Sequence, residues 1–221
     1  MDIFGRNIGA LTKAEQEAIA SKKVFIAGAG GLGGYAAEFC VRIGIGNLVI
    51  CDRDVFEESN LNRQRFSDIY RLGQSKAQTA REKLLDINPT VSVKAYDCVI
   101  DRGNLVSMAA DCDIIIDALD NVEGRFVLEE VAEKLNIPLI LGAVDGWCGQ
   151  ISAIMPGDKT VTKLYADAQT RSTPPVTVMT AAVTAGLQVA EAVKTLLGRP
   201  SLKNKLLVID LEDYTLEILN F

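Results

Sequence analysis

Apolar residues along this 221-residue chain fall into two alternating patterns. Short continuous runs bounded by Gly, Asp or Pro read as strands buried on both faces. Segments with apolar positions three or four apart read as helices with one covered side. "KVFIAG" from Lys23 and "NLVICD" from Asn47 are runs of the first kind, and "GLGGYAAEFCVRIG" between them reads as a helix closed by Gly44. This is a strand, glycine loop, helix and strand at the length a parallel crossover needs. Upstream, Thr12 and Glu15 have the spacing at which two side chains cap each other's backbone N–H, so a helix is expected over about residues 12–22. Ser75–Ile87 predicts another helix, with Ala77, Ala80, Leu84 and Ile87 on one face and Asn88–Pro89 as its stop. "VSVKAYD" alternates as a strand, Asn104–Ala110 predicts a short helix, "CDIIIDAL" a third apolar strand, Val122–Leu135 a helix and "PLILGAV" a fourth strand.

The last third changes character. "GQISAIM" reads as a further strand, whereas Lys159–Pro175, "KTVTKLYADAQTRSTPP", is polar and ends in a double proline. It is expected to be an irregular crossing segment over about residues 159–175, too long for an ordinary connection. "VTVMTAAVTAGLQVAEAVKTLLG" predicts a long helix stopped by Gly198, and "KLLVIDLEDYTLEILNF" a closing hairpin over about residues 205–219. The alternation implies an α/β fold, with a mostly parallel sheet flanked by helices and antiparallel strands added in the C-terminal third. With no internal repeat, residues 1–221 are expected to form a single domain.

Composition narrows the chemistry. Net charge is −6 and no long basic run occurs, which disfavours nucleic acid or an anionic membrane as partner. There is no histidine, so every histidine triad, general base and metal ligand is excluded. Cys40, Cys51, Cys98, Cys112 and Cys148 contain no C-x-x-C pair, which argues against a disulfide framework or a four-cysteine zinc site. Thiols suit a reducing cytoplasm. Neither a signal peptide nor a run of membrane-spanning length is expected from "MDIFGRNIGA" or the apolar segments.

Gly28, Gly30 and Gly33 of "GAGGLG" stand in G-x-G-x-x-G register between a strand and a helix. That is the Rossmann-like arrangement, in which glycines let backbone N–H groups approach phosphate at a helix N-terminus. Asp52, ending the second strand, is placed to accept from ribose hydroxyls. NAD, FAD, S-adenosylmethionine and ATP can all use such a loop. The cations that follow discriminate. Arg63, Arg65 and Lys76 exceed what a dinucleotide pyrophosphate needs but suit a nucleoside triphosphate whose leaving pyrophosphate must be neutralised. Lys76 falls in the first turn of its helix, against the positive end of the macrodipole, which points to an anion facing it, with a long solvated surface lysine as the alternative. Arg65 admits either a functional or a structural reading.

"GAGGLG", "CDRD", "SNLNRQ", "GQSKA" and "DALDN" occur in the order and spacing of the HesA/MoeB/ThiF family, the bacterial relatives of ubiquitin-activating enzymes. The chain resembles that family from about Arg6 to about Gly198. The resemblance implies ATP-dependent adenylation of the C-terminal Gly-Gly carboxylate of a small ubiquitin-like protein, often a sulfur carrier, by a homodimer. It implies that Gly28, Gly30, Gly31 and Gly33 lie beneath the nucleotide and that Asp52 holds the ribose. Asn60, Arg63, Gln64 and Lys76 would contact phosphates. Asp120, beside Asn121, would be the magnesium-associated aspartate, with capping of the following helix as its structural alternative. Arg6 would reach into the partner subunit's site. A carboxylate nucleophile needs no general base, which accommodates the missing histidine.

Many members carry two C-x-x-C pairs for zinc and a cysteine in the crossing segment; this chain has neither, so no zinc and no covalent thiol step are expected. Cys148 in "DGWCGQ" is read as core. Three alternatives stand beside this reading: a family relative that adenylates something else, such as a peptide C-terminus or a tRNA-borne carboxylate; a non-catalytic nucleotide-sensing relative; and an NAD-dependent oxidoreductase, which leaves Arg63 and Lys76 unexplained.

Overall fold

A computed structural model describes residues 3–166 and 174–221. Eight strands form one sheet in the order β3-β2-β1-β4-β5-β6-β7-β8, with β1 Lys23–Ala27, β2 Asn47–Cys51, β3 Ser92–Tyr96, β4 Ile114–Asp117, β5 Leu139–Asp145, β6 Cys148–Ile154, β7 Lys205–Asp210 and β8 Thr215–Asn220. β3 through β5 pair in parallel and β5 through β8 antiparallel. The helices are α1 Lys13–Ala20, α2 Gly31–Ile43, α3 Lys76–Ile87, α4 Arg102–Ala109, α5 Val122–Leu135, α6 Thr160–Tyr165 and α7 Val178–Leu196. No helix among the described residues is long and apolar enough to cross a membrane.

The unbroken apolar runs follow from burial of the parallel strands on both faces. Val24, Ile26, Leu48, Ile50, Ile114, Ile116 and Ile140 point to the side covered by α1, α2, α3 and α7. Phe25, Ala27, Val49, Cys51, Ile115, Leu139 and Leu141 point to the side covered by α4, α5 and α6. Successive residues serve opposite cores, because a strand's side chains alternate. β8 is a counterexample at the sheet's edge, exposed at all six positions.

The cap signals act as expected. Thr12 and Glu15 form the reciprocal capping box of α1, and α2 closes on Gly44 at φ 103°. Two boundaries differ from the sequence reading. α4 starts at Arg102, two residues before the expected start, because Asp101 accepts from the amides of Gly103 and Asn104. More substantially, the segment expected to be irregular from Lys159 begins with α6. No local side chain caps that helix; Glu129 of α5 does so from a distance, accepting from Val161 N at 2.6 Å and from Thr162 N and Oγ1 at 3.1 and 2.6 Å. A cap supplied by another element leaves no local signal. The rest of the expected crossing segment, residues 167–173, lies outside the described residues.

Strand order reverses beside β1, since α2 leads to β2 on one side while β4 lies on the other. The carboxyl ends of β1 and β4 border the crevice in which open sheets of this type bind ligands.

Candidate functional site

The glycine loop leaves β1 and is locked against the chain leaving β4. Gly28 has φ +99°, and its N–H donates to the Cys51 carbonyl at 2.8 Å. A Cβ on Gly28 would lie 2.7 Å from the Ala118 carbonyl oxygen, and one on Gly33 would lie 2.0 Å from that of Gly28. These two glycines are needed by the scaffold. Gly30 and Gly31 differ: a Cβ there would meet the Gln64 amide at 3.7 Å, Arg63 Cγ at 3.6 Å and Ala181 Cβ at 3.9 Å, all ordinary contacts. The space above them is bounded by side chains the sequence had singled out. Gly30, at the N-cap of α2, supplies no capping side chain. The amides of the first turn are therefore available to a ligand at the positive end of the helix.

Asp52 stands beside this loop with both carboxylate oxygens engaged: Oδ2 accepts from Ala29 N at 2.7 Å and Oδ1 from Asp54 N at 2.8 Å. Burial pushes its carboxyl up, while those two amides and the charge of Lys76 hold it down. Lys76 is the first residue of α3 and is buried, its Nζ 3.4 Å from Asp54 Oδ2. The anion facing this lysine is thus Asp54, a residue the sequence reading passed over inside "CDRD". Its signal was there, since Asp54 is the nearest carboxylate after Asp52.

The segment from Glu57 folds into a short 3-10 turn, Glu58–Asn60. Buried Asn60 holds that turn, accepting from Glu57 N at 3.1 Å and donating to Ser59 Oγ at 3.2 Å. Arg63 donates to the Ser59 carbonyl at 2.7 Å and Asn62 Oδ1 at 2.9 Å, which places its stem over Gly31. Gln64 is 7% exposed and its Oε1 has no hydrogen-bond partner. A buried amide oxygen left unpaired costs about 1–3 kcal/mol, so a ligand that supplies a donor recovers it. Arg65 is structural. Its guanidinium meets buried Glu38 of α2 at 2.7 Å, and Arg42 meets the same carboxylate at 2.7 Å.

At the end of β4, Asp117 is fully buried while Asp120 is exposed. The cap of α5 is Asn121, which accepts from Gly124 N at 2.8 Å. The capping alternative for Asp120 is thereby corrected: its neighbour does that work, and the Asp120 carboxylate has only a 3.4 Å approach from Asn121 Nδ2. Asp117 accepts from Leu119 N at 2.9 Å and lies 3.1 Å from Arg125 Nε, out of line for a hydrogen bond. Burial pushes its carboxyl up to about 6, with Arg125 and the Leu119 amide opposing. The folded chain therefore holds this proton more tightly than an exposed aspartate of pKa 3.8 does, so the group's contribution to stability falls as pH rises from 3.8 to about 6. In Asp117→Asn that part of the pH slope should be absent from urea unfolding curves. An unchanged slope would mean that the fold leaves the Asp117 carboxyl titrating as an exposed aspartate does.

Arg6 does not join the cluster. It lies exposed in the turn Gly5–Asn7, where Asn7 Nδ2 donates to the Ile43 carbonyl at 3.1 Å, at the opposite end of α2 from the glycine loop. α2 has 13 residues, about 20 Å of helix. Cys148 is not core, which corrects the sequence reading: it is half-buried at the start of β6, its Sγ 3.3 Å from Asp210 Oδ2. The hydrogen bond to that carboxylate pushes its thiol up, away from the nucleophilic thiolate. An apolar strand suggested burial, but Cys148 is the first residue of β6, paired with Asp145 on one side and Asp210 on the other.

Among the described residues no group of three or more His, Cys, Asp or Glu side chains is placed to hold a metal ion. Asp120, which has no cation partner among the described residues, would suit a magnesium ion completed by phosphate oxygens and water.

A doubly wound sheet with an uncapped glycine-loop helix, an acidic residue after the second strand and an arginine over the loop defines a nucleotide-binding α/β protein. The chain belongs to the ThiF family, whose model matches residues 4–221. The SAMP-activating enzyme E1 of Haloferax volcanii is 34% identical over 209 residues, 91% of this chain and 77% of its own length. Molybdopterin-synthase adenylyltransferase of Escherichia coli is 32% identical over 83% of this chain and 76% of its own. The sulfur carrier protein ThiS adenylyltransferase of Bacillus subtilis is 36% identical over 64% of this chain, which spans 43% of that enzyme. In fold the chain matches a crystal structure of E. coli MccB with succinimide, with TM-score 0.85 and 21% identity, over 99% of this chain and 70% of that one. The oxidoreductase alternative finds no support in these relatives.

Proposed function

We propose that the protein adenylates the C-terminal Gly-Gly carboxylate of a small ubiquitin-like sulfur-carrier protein with ATP, releasing pyrophosphate. The observation that carries this reading is the open face of Gly30 and Gly31, bordered by Arg63 and by Gln64 with its unpaired amide oxygen, with buried Lys76 near Asp52. The relatives' names supply the substrate class. ATP would lie on the first turn of α2 with its ribose at Asp52, whose oxygens exchange one backbone partner for hydroxyls. Gln64 would donate to phosphate or accept from ribose, since its amide can present either end. Asn60 fixes the turn from which Arg63 reaches the phosphates.

The carrier carboxylate, ionised at neutral pH, attacks the α-phosphorus; the bond to the bridging oxygen breaks and pyrophosphate leaves. No proton is removed from the nucleophile, so the chain's task is to orient reactants and spread negative charge. Lys76 and Arg63 neutralise the departing pyrophosphate. A magnesium ion held by Asp120 would supply further charge neutralisation. No zinc is required. Arg6, at the far end of its own α2, would complete the site of a second copy in a homodimer, with residues 1–221 acting as one adenylating unit. Five free thiols suit a cytoplasmic setting.

The decisive experiment is ATP–pyrophosphate exchange with magnesium, with and without candidate Gly-Gly-tailed carriers. Exchange that depends on a carrier is expected, and the most active carrier names the pathway. ATP binding with no exchange for any carrier would replace this reading with the nucleotide-sensing one or with a carboxylate substrate outside those tested.

A further inference from the structure

Arg125 is a costly residue to place where it is. It lies in the first turn of α5, where the macrodipole disfavours a cation, and it is 8% exposed. Its guanidinium is spent on four other elements of the fold. Nη2 donates to the Leu119 carbonyl at 3.0 Å and approaches the Gly142 carbonyl of β5 at 3.4 Å; Nη1 donates to Tyr165 Oη at 3.0 Å; Nε faces Asp117. The guanidinium carbon also lies 5.2 Å from the centroid of the Tyr165 ring. Leu119 is the residue immediately before Asp120. One side chain therefore grips the loop that presents Asp120, the end of β4, the middle of β5 and the C-terminal end of α6.

The same face of α5 grips α6 at its other end. Glu129, one turn after Arg125, is the distant cap of α6 described above. α6 is thus pinned at its start by a carboxylate and at its finish by a guanidinium. Only the second of these also holds the Asp120 loop.

Resting on the adenylation reading, we propose that Arg125 is a positioning residue that sets Asp120 for the cation–triphosphate through the Leu119 carbonyl, and that Tyr165 couples this setting to the docking of α6. Arg125 touches no reactant; its effect passes through Asp120. Whatever holds α6 against α5 also holds Asp120 in place.

The test uses the full chain in three variants: Arg125→Met, which keeps the aliphatic stem; Tyr165→Phe, which keeps the ring and removes only the hydroxyl; and Val131→Ala, a buried truncation on the same helix that leaves Arg125's partners intact. The readout is binding of Mn²⁺ with a non-hydrolysable ATP analogue, followed by electron paramagnetic resonance, with urea unfolding alongside. Arg125→Met should weaken Mn²⁺ binding by about 10- to 100-fold, the usual range for removing a residue that orients a ligand, and Tyr165→Phe by about threefold to tenfold. Val131→Ala should lower stability and leave Mn²⁺ binding within about twofold of the parent chain. Should Arg125→Met not fold, Tyr165→Phe against Val131→Ala carries the comparison. Wild-type Mn²⁺ affinity in Tyr165→Phe, or equal losses in all three variants, would overturn the proposal. Because the readout is binding, failure to adenylate any carrier would remove the reaction without removing this result.

Discussion

Lys76→Ala is expected to slow carrier-dependent pyrophosphate exchange by about 100- to 1,000-fold, the loss typical of deleting one preorganised charge from a reacting centre. The same substitution should leave the fold nearly unchanged. Ser75 still caps α3 through Gln78 N, alanine is the better helix former, and a cation is removed from the wrong end of the dipole. Asp54, half of whose side chain is already exposed, returns to water. The lysine is therefore held in a position that costs local stability, which its charge alone justifies. Circular dichroism and urea unfolding would establish the intact fold, and exchange the lost activity. Full exchange in Lys76→Ala, or collapse of the chain, would remove Lys76 from the reaction.

The glycines divide the loop into scaffold and site, and two substitutions should separate these roles. Gly33→Ala forces a Cβ to within 2.0 Å of the Gly28 carbonyl and 3.1 Å of Ala118 Cβ, with backbone as the immovable neighbour. A loss of about 3 kcal/mol or more is expected, at or beyond the upper end of overpacking costs. Gly31→Ala meets only Arg63 at 3.6 Å and Ala181 at 3.9 Å, so it should fold, gaining up to about 1 kcal/mol of helix propensity. It should nevertheless lose ATP affinity, because the methyl occupies the surface the phosphates approach. Calorimetry on the two variants distinguishes these effects. If Gly31→Ala bound ATP as the parent does, the open face above Gly31 would not be the phosphate site.

Most of the fold was readable because its rules are local. The buried parallel strands announce themselves as continuous apolar runs, and Thr12, Glu15, Gly44 and Asn88 mark helix ends through their own side chains or backbone. α6 was missed because its cap, Glu129, lies in another helix. Asp120 was given a capping alternative that Asn121 fills, a one-residue distinction that spacing alone does not make. The cluster of Gln64, Arg63 and Lys76 was visible as a surplus of polar groups after the glycine loop. Asp54 and Arg125 were not singled out, because their importance depends on what each one faces: Lys76 for the former, and the Leu119 carbonyl with Tyr165 for the latter.

The contact between Asp54 and Lys76 also bears on selectivity. A buried ammonium with a carboxylate already beside it is a seat with an occupant, and any incoming anion must displace that occupant. Asp54 is exposed enough that releasing it costs about 1 kcal/mol or less, roughly a fivefold penalty in affinity. A triphosphate that also gains the amides of α2 and the charge of Arg63 absorbs that penalty easily. A lone monovalent anion, offered Lys76 and little else, gains almost nothing by the exchange. On the proposed reading, the resident carboxylate would act as a threshold that screens small anions from the pocket without closing it.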